Sequence, residues 1–108
     1  MKTFVRKNDW LPNLSFYDHG WGNGYVVIPP GHPCHGVDYD EIDVDVHGGL
    51  TFGQKASECA DWPEIEDSDK DCWIVGFDTA HYGDTIRQWP MSRVLDEIEK
   101  LKNQLEAM

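Results

Sequence analysis

The apolar and polar positions change rhythm along this chain, and each rhythm predicts an element. Tyr25-Val26-Val27-Ile28 is a short apolar run entered through Gly20-Trp21-Gly22-Asn23-Gly24. It is closed by Pro29-Pro30, which cannot donate to a sheet ladder, so a strand is predicted there. Ile42-Asp43-Val44-Asp45-Val46-His47 alternates cleanly. In a strand this puts Ile42, Val44 and Val46 on one face and Asp43, Asp45 and His47 on the other. Gly48-Gly49 bends the chain, and Leu50-Thr51-Phe52 continues the sheet. Cys72-Trp73-Ile74-Val75-Gly76-Phe77-Asp78 is almost continuously apolar, the pattern of a central strand covered on both faces. From Pro90 the period becomes helical: Val94, Ile98, Leu101 and Leu105 form one stripe, with Ser92 as N-cap and Asp96–Lys100 as an i,i+4 pair. The expected architecture is α+β, a small, mainly antiparallel sheet with one C-terminal amphipathic helix, residues 90–107, packed on it. A helical seam between two copies is the alternative use of that stripe, which would make a homo-oligomer.

At 108 residues the chain suits one domain with one core. Its first part, 1–24, reads as a short opening strand followed by an irregular aromatic and Gly-rich stretch holding Trp10, Phe16, Tyr17 and Trp21. Residues 53–71 read as an acidic, solvated loop with a helical turn near 56–59. The formal charge of −11, from 20 acidic and 9 basic residues, argues against direct nucleic-acid binding and against anionic membrane surfaces. A phosphate-bearing ligand would need backbone N–H groups, a lone cation or a bound metal. Cys34, Cys59 and Cys72 show no C-x-x-C spacing, so reduced thiols are expected rather than a disulfide framework or zinc knuckle. The first residues lack the apolar run of a signal peptide, and nothing approaches the roughly 20 apolar residues of a membrane span. The expectation is a cytoplasmic protein.

Candidate chemistry sits where the apolar runs end. His47-Gly48-Gly49-Leu50-Thr51-Phe52 and Gly76-Phe77-Asp78-Thr79-Ala80-His81-Tyr82-Gly83-Asp84 each put histidine close to glycine after an apolar run. His47, Asp78, His81 and Asp84 suit a zinc, manganese or iron site, with zinc or manganese the divalent metal expected. They equally suit an Asp-oriented histidine acting as general base, with His47, Asp78 and His81 as the catalytic groups. Gly48 and Gly49 let backbone amides approach a ligand. Thr51, Arg87, Trp21 and His32 complete the expected ligand-binding set: Arg87 as a cation for an anion, Trp21 for stacking on a planar group, His32 as lining below the first strand's end. Asp43 and Asp45, about 7 Å apart on a strand face, are read as wet surface. Lys55 reads as a surface ion pair, His19 as a loop residue, Trp62 as core cover, and His35 beside Cys34 as part of an exposed turn.

The strings Gly24-Tyr25-Val26-Val27-Ile28-Pro29, Gly31-His32-Pro33, Asp45-Val46-His47-Gly48-Gly49-Leu50-Thr51-Phe52 and Trp73 through Asp84 together resemble a set of small proteins encoded by bacteriophages and prophages. The resemblance covers residues 20–106 and ends in a similar helix. It implies a phage accessory protein with its site at His47, Asp78, His81 and Asp84. Small phage proteins of this size often counter host defence, some by sequestering or cleaving nucleotide signals. The expected function is therefore to bind, and to hydrolyse with metal assistance, a small nucleotide-like phosphate ligand in the host cytoplasm. The alternative is a non-catalytic acidic protein that blocks a host factor by mimicking nucleic acid. A third reading, a structural virion component, is selected by nothing in the chain.

Overall fold

A computed structural model describes residues 1–8 and 19–108; Trp10, Phe16 and Tyr17 lie outside the described residues. Four strands form one antiparallel sheet: β1 (Lys2–Lys7), β2 (Gly22–Ile28), β3 (Phe52–Lys55) and β4 (Trp73–Phe77), in the order β1-β2-β4-β3. One helix, α1 (Met91–Glu106), follows. β2 and β4 are the inner pair, in register from Gly24 opposite Phe77 to Ile28 opposite Trp73. Their apolar continuity has a simple cause, because both faces of the inner strands are covered. On one face Val26, Ile28, Val75 and Phe77 pack with Val94, Ile98, Leu101 and Leu105 of α1. On the other, Tyr25, Val27 and Ile74 pack with Ala56 and Cys59, and Phe4, Phe52 and Trp62 close over them. The fold is α+β, with its single described helix packed on the sheet as the apolar stripe requires.

The acidic segment covers the second face. It carries short 3-10 turns at Ala56–Cys59 and Asp67–Asp69. Charges tie it to the edge strand: Arg6 pairs with Glu64 at 2.6 Å, Lys2 pairs with Asp69 at 2.7 Å, and the Lys2 ammonium also donates to the Glu64 carbonyl. The Arg6 guanidinium lies 4.6 Å over Trp62. Part of the acid excess is thus fastening rather than solvated surface.

The alternating segment 42–47 is not a strand. Ile42 and Val46 are buried and Val44 half-buried, with Asp43 and Asp45 exposed, so the alternation does sort in from out. Among the described residues, however, no neighbouring strand supplies its hydrogen bonds. The Asp45 N–H donates to Gln104 Oε1 at 2.7 Å, and Gln104 Nε2 donates back to the Asp45 carbonyl at 2.8 Å. A side-chain amide of α1 stands in for a strand partner, and period-2 burial alone cannot reveal that substitution. Two details of α1 also differ from expectation. Pro90 occupies the N-cap, its carbonyl accepting from Arg93 and Val94, so Ser92 already lies inside the helix. Lys100 pairs with Asp45 at 3.3 Å and Glu97 at 3.5 Å rather than with Asp96.

Candidate metal centre at the end of the inner strand

Antiparallel pairing of β3 with β4 sets Phe52 opposite Gly76. The start of β3 therefore lies beside the end of β4, and the Thr51 N–H extends the ladder to the Gly76 carbonyl at 2.9 Å. The turn before β3 holds His47, and the turn after β4 holds Asp78, His81 and Asp84. Pairing of these two strands brings together groups far apart in sequence.

Asp84 joins them. His47 Nε2 lies 2.9 Å from Asp84 Oδ1 across 37 residues of chain. His81 Nδ1 lies 2.9 Å from Asp84 Oδ2, which also accepts from the His81 backbone N–H at 2.9 Å. An ionised carboxylate only accepts, so both facing ring nitrogens carry hydrogen. Burial of Asp84 would by itself raise its pKa. The His81 backbone N–H, then the His81 and His47 side chains, outweigh that and hold the carboxyl below its usual range.

His81 faces a second carboxylate with its other nitrogen: Nε2 lies 2.9 Å from Asp78 Oδ1. The two are close but misaligned, and this buried oxygen accepts no hydrogen bond from the described residues. Ligand atoms of His47, His81 and Asp84 all lie within 4.8 Å of one another. Two imidazoles with carboxylates form a nitrogen and oxygen donor set that suits zinc or manganese better than soft, thiolate-seeking ions. The cysteines take no part: Cys34 and Cys59 are buried and Cys72 half-buried, all as free thiols. Burial raises each of their pKa values, keeping them protonated and poor as ligands.

Gly48 explains one glycine of the first signature. Its φ of +69° is left-handed, and a Cβ there would sit 2.4 Å from two atoms of the His81 ring. The imidazole of one turn rests on the bare backbone of the other. Gly49 is also left-handed, at φ +77°, but its N–H donates to the Val46 carbonyl at 2.8 Å. That amide closes a turn instead of reaching for a ligand, and the Thr51 amide is likewise used in the ladder.

The other expected ligand residues are distributed differently. Trp21 is half-buried against the α1-side core, and its backbone N–H donates to the Trp89 carbonyl at 2.8 Å. Arg87 is exposed. His32 works at the far end of α1: its Nε2 bonds the Leu105 carbonyl at 2.7 Å, while its Nδ1 accepts from the Cys34 N–H at 3.0 Å. A helix rises about 1.5 Å per residue, so His32 clamps α1 about 20 Å from its start, where the cluster's neighbours lie. His35 bonds the Asp71 carbonyl at 2.7 Å, and His19 is buried.

Sequence reasoning missed Trp89 and Arg93. The Trp89 ring lies 4.1 Å from that of His47 at 33°, and the Arg93 guanidinium lies 4.1 Å over the same indole. No helical spacing announces the pair, because Trp89 precedes the N-cap Pro90 and lies outside α1. Trp89 is 5% exposed, so the indole fixes His47 from within the core. No protein-family model, curated protein or solved structure matches the chain.

Proposed function

We propose that the cluster of His47, Asp78, His81 and Asp84 binds one divalent metal ion, zinc or manganese, and through it a small phosphate-bearing ligand of nucleotide type. The observation that carries this reading is the bridging of two imidazoles by one buried carboxylate at 2.9 Å each. A cation also resolves the conflict between an anionic ligand and a chain of net charge −11. The exposed Thr51 and Arg87 lie next in sequence to the two turns and are the groups to meet a phosphate. Hydrolysis by this site is water attack on phosphorus with cleavage of one P–O bond. A bound ion would polarise a phosphoryl oxygen, and an imidazole of the cluster would take the water's proton or deliver one to the leaving oxygen. The resemblance to phage proteins supplies a setting, the host cytoplasm, where removing a nucleotide signal counters defence. Incubation with bis(p-nitrophenyl) phosphate and with a cyclic dinucleotide tests it. Turnover should vanish with chelator and return with one divalent metal, and equal turnover in a His47→Ala, His81→Ala variant would overturn it.

One observation favours a second reading. Glu58, Asp61, Glu66, Asp67 and Asp71 are exposed along the segment that covers the sheet's second face. Such a surface suits a basic site on a host protein, with salt-sensitive binding.

A further inference from the structure

Resting on the reading that the cluster takes a divalent cation, we infer that the ion is ligated by His81 Nε2 and Asp78 Oδ1, with Asp84 serving as the positioning carboxylate behind both imidazoles and not as a ligand. Hydrogen-bond bookkeeping carries this assignment. Asp84, ionised, takes the Nδ1–H of His81 and the Nε2–H of His47. With Nδ1 engaged by Asp84, His81 has Nε2 left to offer, and Nε2 lies 2.9 Å from Asp78 Oδ1 without the alignment of a hydrogen bond. Asp78 Oδ1 is itself buried and accepts from no donor among the described residues. A buried carboxylate oxygen without a hydrogen bond calls for positive charge beside it.

A divalent ion meets that need with ordinary distances. Ligand atoms each about 2.1 Å from a metal and at right angles to one another lie about 3 Å apart. The observed pair already has that spacing, as in a six-coordinate site whose remaining positions are open to water or phosphate oxygens. Exposure points the same way. The Asp78 and His81 side chains are 37% and 32% exposed, against 7% for Asp84. An ion from solvent reaches the half-exposed side of the cluster, Asp78 and His81, before the buried Asp84, although Asp78 Oδ1 itself lies beneath that surface. The carboxylate behind the imidazole then matches a recurrent arrangement, in which a histidine ligates with one nitrogen and donates from the other to an acidic side chain.

The test is a zinc titration of the unmodified, 15N-labelled protein, followed by long-range imidazole correlations. Zinc is diamagnetic, so each ring nitrogen stays visible. The expected result is that His81 Nε2 moves to a metal-bound position while His81 Nδ1 and His47 Nε2 stay protonated. In parallel, Asp78→Asn should lose zinc at least 100-fold, whereas Asp84→Asn, which keeps an acceptor oxygen, should lose 10- to 100-fold or less. Metal at His81 Nδ1, or zinc affinity unchanged in Asp78→Asn, would overturn the ligand assignment while leaving the metal reading intact. Uptake of neither zinc nor manganese by the wild-type chain would overturn both.

Discussion

Asp84 accepts from three donors, the His81 backbone N–H and the imidazoles of His47 and His81, and this occupancy fixes its behaviour with pH. Its pKa is lowered on folding, so its contribution to stability is present above the ordinary carboxylate value of about 3.9 and is lost as pH falls through the lower folded value. Asp69 shifts in the same direction, chiefly because Lys2 hydrogen-bonds it. Acid unfolding curves should therefore show Asp84→Asn less stable than wild type at neutral pH, with the two curves converging in strong acid; a gap that persists there would contradict this origin. Gly48 is the other residue with a sharp expectation. An alanine there meets a left-handed backbone costing roughly 1–2 kcal/mol, and its Cβ collides with the His81 ring. Gly48→Ala should lower thermal stability and weaken metal binding together, whereas Gly49→Ala, with nothing near its Cβ, should lower stability alone.

At the scale of elements, the stripe on α1 and the apolar run of β4 carry the fold. Leu101 is fully buried between helix and sheet, and Leu101→Ala should cost about 2–5 kcal/mol in denaturant unfolding. His32→Ala removes the clamp on the last turn and should cost about 1–2 kcal/mol while leaving metal affinity unchanged; lost affinity would return His32 to the ligand set. Both elements were legible in the sequence because burial writes itself into periodicity: a stripe for α1, a continuous run for β4. Residues 42–47 show the limit of that code. Their alternation reflects burial against the core, but whether a strand or Gln104 satisfies the backbone is a long-range matter that no local pattern carries. His47 and the 78–84 turn were readable as candidates from histidine, aspartate and glycine where apolar patterns end. Their meeting was not, because it depends on β3 lying beside β4, and Trp89 became part of the site only once α1 was docked.

For the whole molecule, charge and topology divide the work between two ends and two faces of the sheet. One face holds α1, and the end of β4 beside that helix's start holds the histidine–carboxylate cluster. The other face is closed by a segment whose paired acids fasten β1 and whose unpaired acids face solvent. Among the described residues no helix is long and apolar enough to cross a membrane. Neutralising Glu58, Asp61, Asp67 and Asp71 together should leave metal binding and any phosphodiester turnover unchanged; loss of turnover in that variant, with its fold intact, would join the acidic face to the site. Equilibrium dialysis against zinc and manganese, with metal analysis of the retained protein, tests the central claim most directly. The wild-type chain should hold one ion per molecule and a folded His47→Ala, His81→Ala variant none; equal metal content in the two would contradict it.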